Sequence, residues 1–405
     1  MTLLVIGTGG REYREYLLAS IGSRYRVHLL LGEEPTWERA HIAGWTVLDS
    51  PGETVDAAEM VAAARAVAGP VRGVLSWDEA RVLQTAKVAH ALGLPGGDPD
   101  VAMRCRDKHL TRVALRAAGV PQPASVLVHG LKEALEAAEA IGYPVVLKPR
   151  ALAASLGVVL ARTPHDLADR FGFARDTTVP GAWTYETVLV EEYATGAEVS
   201  VDAAVHGGHV SPLFLARKDI GYPPYFEEVG HLVDAGDPLL TDPGILRIVA
   251  DTHAALGVTD AMTHTELRLT PTGPKVIEVN GRLGGDLIPY LGLRATGIDP
   301  GLAAAAVACG LPPEVTADRR LVGAVRFRYP DKDDTTIDGI DIDTTALPAD
   351  VDRITALAGP GDVVSPPPAG TLWGRIALAT AVSGTVAGCA AALDAAEAAL
   401  TVRVR

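Results

Sequence analysis

The sequence predicts a large α/β protein, and three observations point to this fold class. Apolar strand-like runs alternate with alanine-rich helical stretches up to about residue 105, which is typical of a parallel sheet with helices on both faces. The chain has 405 residues, enough for two or three domains, and its 48% apolar and 21% charged residues are ordinary for a globular protein. It contains no internal repeat and no apolar run of about 18 residues that would indicate a membrane span.

The first predicted unit opens with a strand and a glycine-rich turn, LLVIGTGGREY at residues 3–13. Gly7, Gly9 and Gly10 would let the backbone approach a phosphate at a helix N-terminus, as in dinucleotide-binding proteins. The fingerprint G-x-G-x-x-G needs a third glycine at position 12, where this chain has Glu12. We therefore expect this turn to open an α/β domain without binding a dinucleotide.

The remaining elements are predicted from periodicity and turn residues. The predicted elements are strands at Leu3–Ile6, Val27–Leu31, Val74–Ser76, Ser125–Val128, Val145–Lys148, Gly157–Leu160, Val188–Glu192, Met262–Leu269 and Lys275–Val279, and helices near 55–68, 78–92, 131–141 and 384–400. The segment 216–243 is rich in glycine, proline and charge, and it is predicted to be a loop over a site. A third unit begins after residue 312.

Charge and cysteine content exclude several classes of protein. The formal net charge of −14 argues against nucleic acid or an anionic membrane as a main partner, although a local cluster of cations could still bind a nucleotide. Three widely spaced cysteines form neither a disulfide framework nor a zinc motif, and the N-terminus lacks the pattern of a signal peptide. We expect a cytoplasmic protein.

Candidate metal ligands lie in HTELRLTPTGPKVIEVNGRLGGD, residues 264–286. Glu266 and Glu278 lie on two strands joined by a short turn, and Asn280 follows on the same face as Glu278. Two carboxylates and an amide oxygen suit Mg²⁺, which usually also binds substrate phosphates. Arg282 continues this series and would place a guanidinium beside those phosphates. The alternative is an ordinary hairpin with surface charges, but such a hairpin would rarely carry two acids, an amide and an arginine in this order.

Candidate phosphate ligands precede this hairpin. Lys148 ends an apolar strand, and the small residues of the loop 150–158, including Ser155 and Gly157, could fold backbone N–H groups over phosphates. Lys108 opens a helix after a loop. A strand-end lysine alone is often only a surface residue.

The stretch VLVEEYATGAEVSVDA, residues 188–203, is a candidate nucleoside site. Glu191 and Glu192 end an apolar strand, whose free backbone groups could read an adenine edge. Glu198 could hold ribose hydroxyls. The alternation of residues 198–202 equally fits a half-exposed edge strand.

The order of these motifs resembles the ATP-grasp superfamily over nearly the whole chain. RDKHLTRVALRAAGVPQP resembles the opening segment of that family, VVLKP its phosphate-binding strand, VEEY its interdomain hinge, and HTEL with IEVNGRLGGD its metal-binding pair. The resemblance implies an ATP-grasp fold with a Rossmann-like pre-ATP-grasp domain at 1–104. The ATP-grasp domain would cover 105–312, with a small subdomain at about 124–192, and a C-terminal α+β domain at 313–405 would complete the ligase core.

The resemblance also implies roles for individual residues and a need for ATP and Mg²⁺, with Mn²⁺ able to replace it. Lys108 and Lys148 would bind ATP phosphates beneath the loop of Ser155 and Gly157. The implied adenine and ribose contacts are Glu191, Glu192, the backbone near Ala194, and Glu198. The implied metal ligands are Glu266, Glu278 and Asn280, and Arg282 would stabilise the acyl-phosphate and the tetrahedral intermediate.

Within the superfamily, YFEEVGHLVDAG followed by NGRLGGDLI most resembles the L-amino-acid ligases, or dipeptide synthases. Their Glu-x-x-His pair lies in the amino-acid site, which here would be Glu228 and His231. A polar loop over the cleft would contain similar residues. Biotin is not expected as a partner, and a dimer is the family expectation.

The sequence therefore predicts an ATP-dependent carboxylate–amine ligase that joins two amino acids through an acyl-phosphate and releases ADP. Three alternatives remain open: a ligase that loads an amino acid onto a carrier protein, a purine-biosynthesis type of ligase, and a non-catalytic ATP-binding protein. A nicotinamide-dependent oxidoreductase is a more distant alternative. The sequence does not identify the substrates, since pocket selectivity depends on the side chains that line the cleft.

Overall fold

The computed structural model describes residues 2–48, 57–179 and 182–405. The first unit is a four-stranded parallel sheet of order β3-β2-β1-β4, followed by helices that lead into the next unit. Its elements are β1 (Thr2–Ile6), α1 (Arg11–Arg24), β2 (Arg26–Leu31), β3 (Gly44–Val47), α2 (Ala57–Ala66), β4 (Val71–Leu75), α3 (Val82–Leu92), α4 (Pro99–Arg106) and α5 (Lys108–Ala117). β1 is buried along its whole length, as expected for a strand covered on both faces. The predicted parallel sheet is confirmed; residues 55 and 56 of the helix predicted near 55–68 lie outside the described residues.

The second unit is a small antiparallel sheet of order β5-β8-β6-β7. Its elements are β5 (Ser125–Val128), α6 (Leu131–Ile141), β6 (Val145–Pro149), β7 (Val159–Ala161), α7 (Pro164–Asp176) and β8 (Val188–Glu192). Leu147, Val190 and Phe171 are part of one apolar core between the sheet and its two helices. The strand ends of β6 and β8 therefore have fixed positions, which matters because both carry candidate site residues.

The third unit is an antiparallel sheet of order β13-β12-β9-β10-β11-β14-β18-β16. The elements up to β14 are β9 (Ala197–His206), β10 (His209–Gly221), β11 (Glu227–Asp234), α8 (Pro243–Leu256), β12 (Ala261–Thr270), β13 (Gly273–Asn280), α9 (Ile288–Thr296), α10 (Pro300–Ala308) and β14 (Val322–Arg328). The remaining elements are β15 (Thr335–Ile342), β16 (Val351–Ala356), β17 (Val363–Val364), β18 (Ala377–Ser383), α11 (Val386–Ala398) and β19 (Leu400–Val404), of which β17, β15 and β19 form a separate sheet.

The prediction of a loop at 216–243 is wrong. Half of this segment forms the end of β10 and all of β11, in the middle of the large sheet. The segment has few apolar residues because one face of these strands lines a polar cleft. Lys218, Glu228 and His231 lie on that face, so the usual alternation of apolar and polar residues is weak.

The large sheet continues across residue 312, since β14, β18 and β16 extend the strands that precede it. The C-terminal residues are thus built onto the central unit, and the domain boundaries proposed from the sequence stay a prediction. Among the described residues, no helix is both long and apolar enough to cross a membrane.

Candidate active site

A cleft lies between the small sheet and the large sheet, and it brings together most of the residues proposed from the sequence. Those that line it are Lys108, Lys148, Ser155, Glu191, Glu192, Ala194, Glu198, Glu228, Glu266, Glu278, Asn280 and Arg282. The other two proposed residues lie next to the lining: Gly157 in the loop after β6, and His231 beside Glu228. The fold therefore brings residues from a span of 175 positions of the chain into one site.

The proposed metal ligands lie at the β12–β13 end of this cleft. Glu266 and Glu278 are direct partners across the two antiparallel strands, and Asn280 ends β13 in a buried position. In the orientation that satisfies its amide, Asn280 donates hydrogen bonds to Glu278 and to Glu79. This set of hard oxygen donors fits Mg²⁺.

A buried lysine that the sequence analysis missed lies at the centre of three carboxylates. The Lys218 Nζ atom is 2.6 Å from Glu266 Oε1, 2.7 Å from Glu228 Oε1 and 3.6 Å from Glu198 Oε1. The second oxygen of Glu198 is 2.7 Å from the Arg268 guanidinium. Lys218 thus connects the proposed metal ligand Glu266 to Glu228 of the proposed amino-acid site.

The short distances from Lys218 to the carboxylates shift the pKa values of this cluster. Burial lowers the pKa of Lys218, but the three carboxylates outweigh it and raise that pKa well above its ordinary value. Burial likewise raises the pKa of Glu228 and Glu266, but the neighbouring cations together outweigh burial. Lys218 and His231 lower the pKa of Glu228 to about 2, and Lys218 and His264 lower the pKa of Glu266 well below its ordinary value. Glu198 is farther from Lys218, and burial raises its pKa. Lys218 is therefore protonated between two ionised carboxylates.

The two lysines proposed to bind phosphate each contact an acid. The Lys108 Nζ atom lies 3.1 Å from Glu278 Oε1, and the Lys148 Nζ atom lies 2.9 Å from Glu191 Oε2. Glu191 is almost fully buried, and Arg112 binds both of its oxygens. The Glu191 carboxylate therefore holds Lys148 in place; any adenine contact at this position would come from its backbone.

The loop 150–158 has an unusual backbone conformation. Leu152 and Ser155 have φ values of 131° and 54°. Residues other than glycine rarely adopt such positive φ values, and they do so mainly where the surrounding structure imposes them. At Gly157 a Cβ atom would lie 2.6 Å from the ring of Pro149, so glycine is required there. The loop thus has a defined shape beside Lys148.

Arg282 lies beyond the end of β13, yet it lines the same cleft. Its Nε atom is 2.6 Å from Glu79 Oε2, and Glu79 belongs to the first unit. Glu79 also accepts the Asn280 amide at 2.9 Å. Burial raises the pKa of Glu79, but Arg282 and neighbouring cations outweigh it, so this carboxylate is ionised. The sequence analysis missed Glu79, because nothing local links it to Arg282.

Glu228 and His231 meet a third acid at the other end of the cleft. His231 Nε2 is 3.2 Å from Glu228 Oε2 and 3.6 Å from Asp286 Oδ2. Burial lowers the pKa of His231, but Asp286 and Glu228 outweigh it and raise that pKa above its ordinary value. The proposed Glu-x-x-His pair is therefore a compact, charged group beside Asp286.

Arg375, from the C-terminal part of the chain, holds Asp286. Its two Nη atoms donate to the two Asp286 oxygens at 2.7 Å each, and its Nε donates to the Tyr329 hydroxyl at 2.9 Å. The Tyr329 hydroxyl in turn donates to Glu227 at 2.7 Å, and the guanidinium lies 3.7 Å from the centre of the Phe327 ring. Arg375 is almost fully buried, so it positions Asp286 rigidly.

The proposed adenine end of the cleft lies at β8 and the residues after it. Glu192 is bound by Lys275 at 2.6 Å and accepts the Ala124 backbone N–H. The Tyr193 and Phe226 rings both line the cleft, with centroids 6.2 Å apart. Two aromatic rings beside the end of a strand offer flat apolar surfaces that suit a purine ring.

Residues 141–289 match the ATP-grasp domain family. The chain contains an ATP-grasp domain and has the ATP-grasp fold, as its sequence motifs predict. A crystal structure of an L-amino acid ligase from Bacillus licheniformis superposes with a TM-score of 0.81 at 22% identity, covering 100% of this chain and 98% of that one.

The chain is related to dipeptide-forming ligases. It is 28% identical to alanine–anticapsin ligase of Bacillus subtilis (strain 168) over 53% of this chain and 49% of the relative. It is 27% identical to carnosine synthase 1 of Mus musculus over 61% of this chain and 32% of the relative. The match thus spans about half of one curated relative and a third of the other.

Proposed function

We propose that this protein is an ATP-dependent carboxylate–amine ligase that joins two amino acids. One observation carries the proposal: the proposed metal ligands Glu266 and Glu278 lie in one cleft with Lys108 and Lys148, the lysines proposed to bind phosphate, and with the Glu228–His231 pair. Nucleotide chemistry and amino-acid binding then share a single site. The relatedness to dipeptide-forming ligases supports the same activity.

The proposed reaction has two steps. The γ-phosphoryl group of ATP passes to a carboxylate oxygen of the first amino acid, which forms an acyl-phosphate and ADP. The amine of the second amino acid then attacks the acyl carbon, the bond to the phosphate oxygen breaks, and phosphate leaves. A proton leaves the nitrogen, and the product is an amide.

The residues of the chain have separate parts in this scheme. Lys108 and Lys148 bind the phosphates of ATP, and Arg282 stabilises negative charge on the acyl-phosphate and the tetrahedral intermediate. Glu228 and Asp286 accept hydrogen bonds from the ammonium group of an amino acid. The loop 150–158 covers the phosphates and excludes water, which would otherwise hydrolyse the acyl-phosphate.

ATP-grasp ligases generally use ATP and Mg²⁺, and in this chain Glu266, Glu278 and Asn280 would hold the ion. When bound, Mg²⁺ offsets phosphate charge and orients the transferred group. The same oxygen donors would accept Mn²⁺.

The test is ATP- and Mg²⁺-dependent phosphate release against a matrix of paired L-amino acids, with mass spectrometry of the positive reactions. A product equal in mass to both amino acids less one water, formed with ADP rather than AMP, would support the proposal and identify both substrates. ATP binding without product across the matrix would contradict it. Product formed only with an added carrier protein or a phosphoribosylated amine would instead assign one of those ligase types.

A further inference from the structure

An ion pair joins the loop 150–158 to the N-terminus of α5. Arg150, the first residue of that loop, donates from Nε to both oxygens of Asp107 at 2.9 and 2.8 Å, and its Nη2 atom lies 2.6 Å from Asp107 Oδ2. The Arg150 guanidinium also lies over the Tyr185 ring, with Cζ 4.3 Å from the ring centre. A guanidinium that is bound by a carboxylate and stacked on an aromatic ring has a defined orientation.

This ion pair connects two units of the structure. Arg150 directly follows β6 of the second unit, whereas α5 packs against the third unit, where its Leu115 shares an apolar core with Val276 of β13. Asp107 is also the N-cap of α5, and its carboxylate accepts two backbone N–H groups of the first turn. The Asp107 side chain is 2% exposed. Its carboxylate therefore has a fixed position on the third unit, and the ion pair holds the loop of the second unit against it.

Lys108, the residue after Asp107, is bound to the same loop at both of its ends. Its backbone N–H donates to the Arg150 carbonyl oxygen at 3.1 Å, and its ammonium donates to the Leu152 carbonyl oxygen. The ammonium also lies 3.1 Å from Glu278, a proposed metal ligand. The position of the loop and the position of a lysine proposed to bind ATP phosphate are therefore set together.

The backbone of the loop explains why it needs such an attachment. Leu152, Ala154 and Ser155 have positive φ values, a conformation that costs free energy and persists where surrounding contacts hold it. All three residues line the cleft, so their conformation sets the shape of its wall. We expect a loop that has lost the Arg150–Asp107 pair to relax and to admit water to the cleft.

We propose that Arg150 is a positioning residue of the ligase, which through Asp107 holds the loop 150–158 closed over the phosphates and keeps water from the acyl-phosphate. The inference rests on the proposed ligase function. Attack by the amine on the acyl carbon gives the amide and phosphate, whereas attack by water returns the free amino acid and phosphate. Arg150 acts on the partition between these two outcomes through the loop, without contact with the reacting atoms.

The experiment measures phosphate release and dipeptide formation in the same reaction, in the wild-type chain and in Arg150→Gln. In wild type we expect equal amounts of phosphate and dipeptide. In Arg150→Gln we expect KM for ATP to rise about 5-fold, the equivalent of one well-formed, partly exposed ion pair. Phosphate release should then exceed dipeptide formation. Arg150→Lys should restore part of this coupling, because an ammonium keeps the charge but lacks the paired N–H groups of a guanidinium.

Asp107→Asn is the second variant, because asparagine still caps a helix but carries no charge. It should raise KM for ATP and uncouple the two products as Arg150→Gln does, and it keeps the test available if Arg150→Gln fails to fold. The double variant should be no worse than Arg150→Gln alone, because both substitutions break one interaction. Arg175→Gln is the matched control, since Arg175 forms an exposed pair with Asp176 on α7 of the same unit.

The possible results separate the positioning role from the ligase function. Equal amounts of phosphate and dipeptide with an unchanged KM for ATP in both single variants would overturn the role of the pair and leave the ligase function standing. A lower kcat with the two products still equal would also overturn it, and so would effects that add in the double variant. Wild type that forms no dipeptide would overturn the ligase function and this inference together.

Discussion

Glu228 and His231 are three residues apart on β11, and yet their side chains meet on one face of the sheet, 3.2 Å apart. In a regular strand such residues point to opposite faces. A bulge between Asp219 and Ile220 of β10 and their partners on β11 leaves Val229 as an extra residue, which turns His231 back toward the cleft. The Glu-x-x-His spacing therefore brings the two side chains together only because the bulge adds a residue between them.

Gly221 packs against the extra residue of this bulge, and we predict that Gly221→Ala impairs use of an amino-acid substrate. A Cβ atom at Gly221 would lie 2.7 Å from Cγ1 of Val229, so Val229 must move, and we expect this to displace His231 two residues further on. We expect a higher KM for an amino-acid substrate with little change in KM for ATP, measured by phosphate release. Gly130→Ala, where a Cβ meets open space, is the control. Equal effects of both substitutions would contradict the role of the bulge.

Glu278→Gln should reduce ADP formation by about 10²- to 10³-fold, the range for losing one electrostatic group that acts on the transition state. The amide keeps the size of the side chain but removes the negative charge proposed to hold Mg²⁺. Circular dichroism and the melting temperature should stay close to wild type. Glu139→Gln, at an exposed position on α6, should leave activity unchanged. Full activity of Glu278→Gln would refute the metal assignment.

Lys218→Met should lower the free energy of unfolding by about 3 kcal/mol, because it leaves the mostly buried carboxylates of Glu228 and Glu266 without the lysine between them. Urea unfolding measures this change. The loss should be smaller at acidic pH, where the two carboxylates can take up protons. Lys132→Met, at an exposed position on α6, should have little effect on stability. A stable Lys218→Met variant would show that the cluster does not need its lysine.

The raised pKa of Glu227 predicts that the stability of the protein depends on pH. Burial raises its pKa from an ordinary value near 4.5 to about 7, despite the Tyr329 hydrogen bond and the charge of Arg375. Between these two values the folded state binds more protons than the unfolded state, so stability falls as pH rises. Across this window the wild-type free energy of unfolding should fall by about 3 kcal/mol more than that of Glu227→Gln. Parallel pH profiles would show that Glu227 ionises normally.

Local patterns predicted a large part of this site. The alternation in the 264–286 stretch identified Glu266, Glu278 and Asn280, because two strands joined by a short turn bring their side chains together without help from the rest of the chain. Lys148 was identified in the same way, from a short apolar strand that ends in a cation. Such inferences depend on a few neighbouring residues.

The missed residues depend on distant contacts. Lys218 meets Glu266 across three strands, 48 positions along the chain, and Glu79 meets Arg282 across two units. Strands β10 and β11 were mistaken for a loop because cleft-facing charges interrupt their apolar pattern. Composition cannot distinguish a charged loop from a strand whose polar face lines a ligand site.

The Arg375–Asp286 pair has a consequence for the order in which the protein is made. Its two members are 89 positions apart, and β14, β16 and β18 of the large sheet are synthesised after Asp286. A growing chain therefore holds the lysines and acids proposed for nucleotide binding before Asp286 meets its guanidinium. The proposed amino-acid end of the cleft is therefore completed last, and a nascent chain that already binds ATP would still lack the group that fixes Asp286.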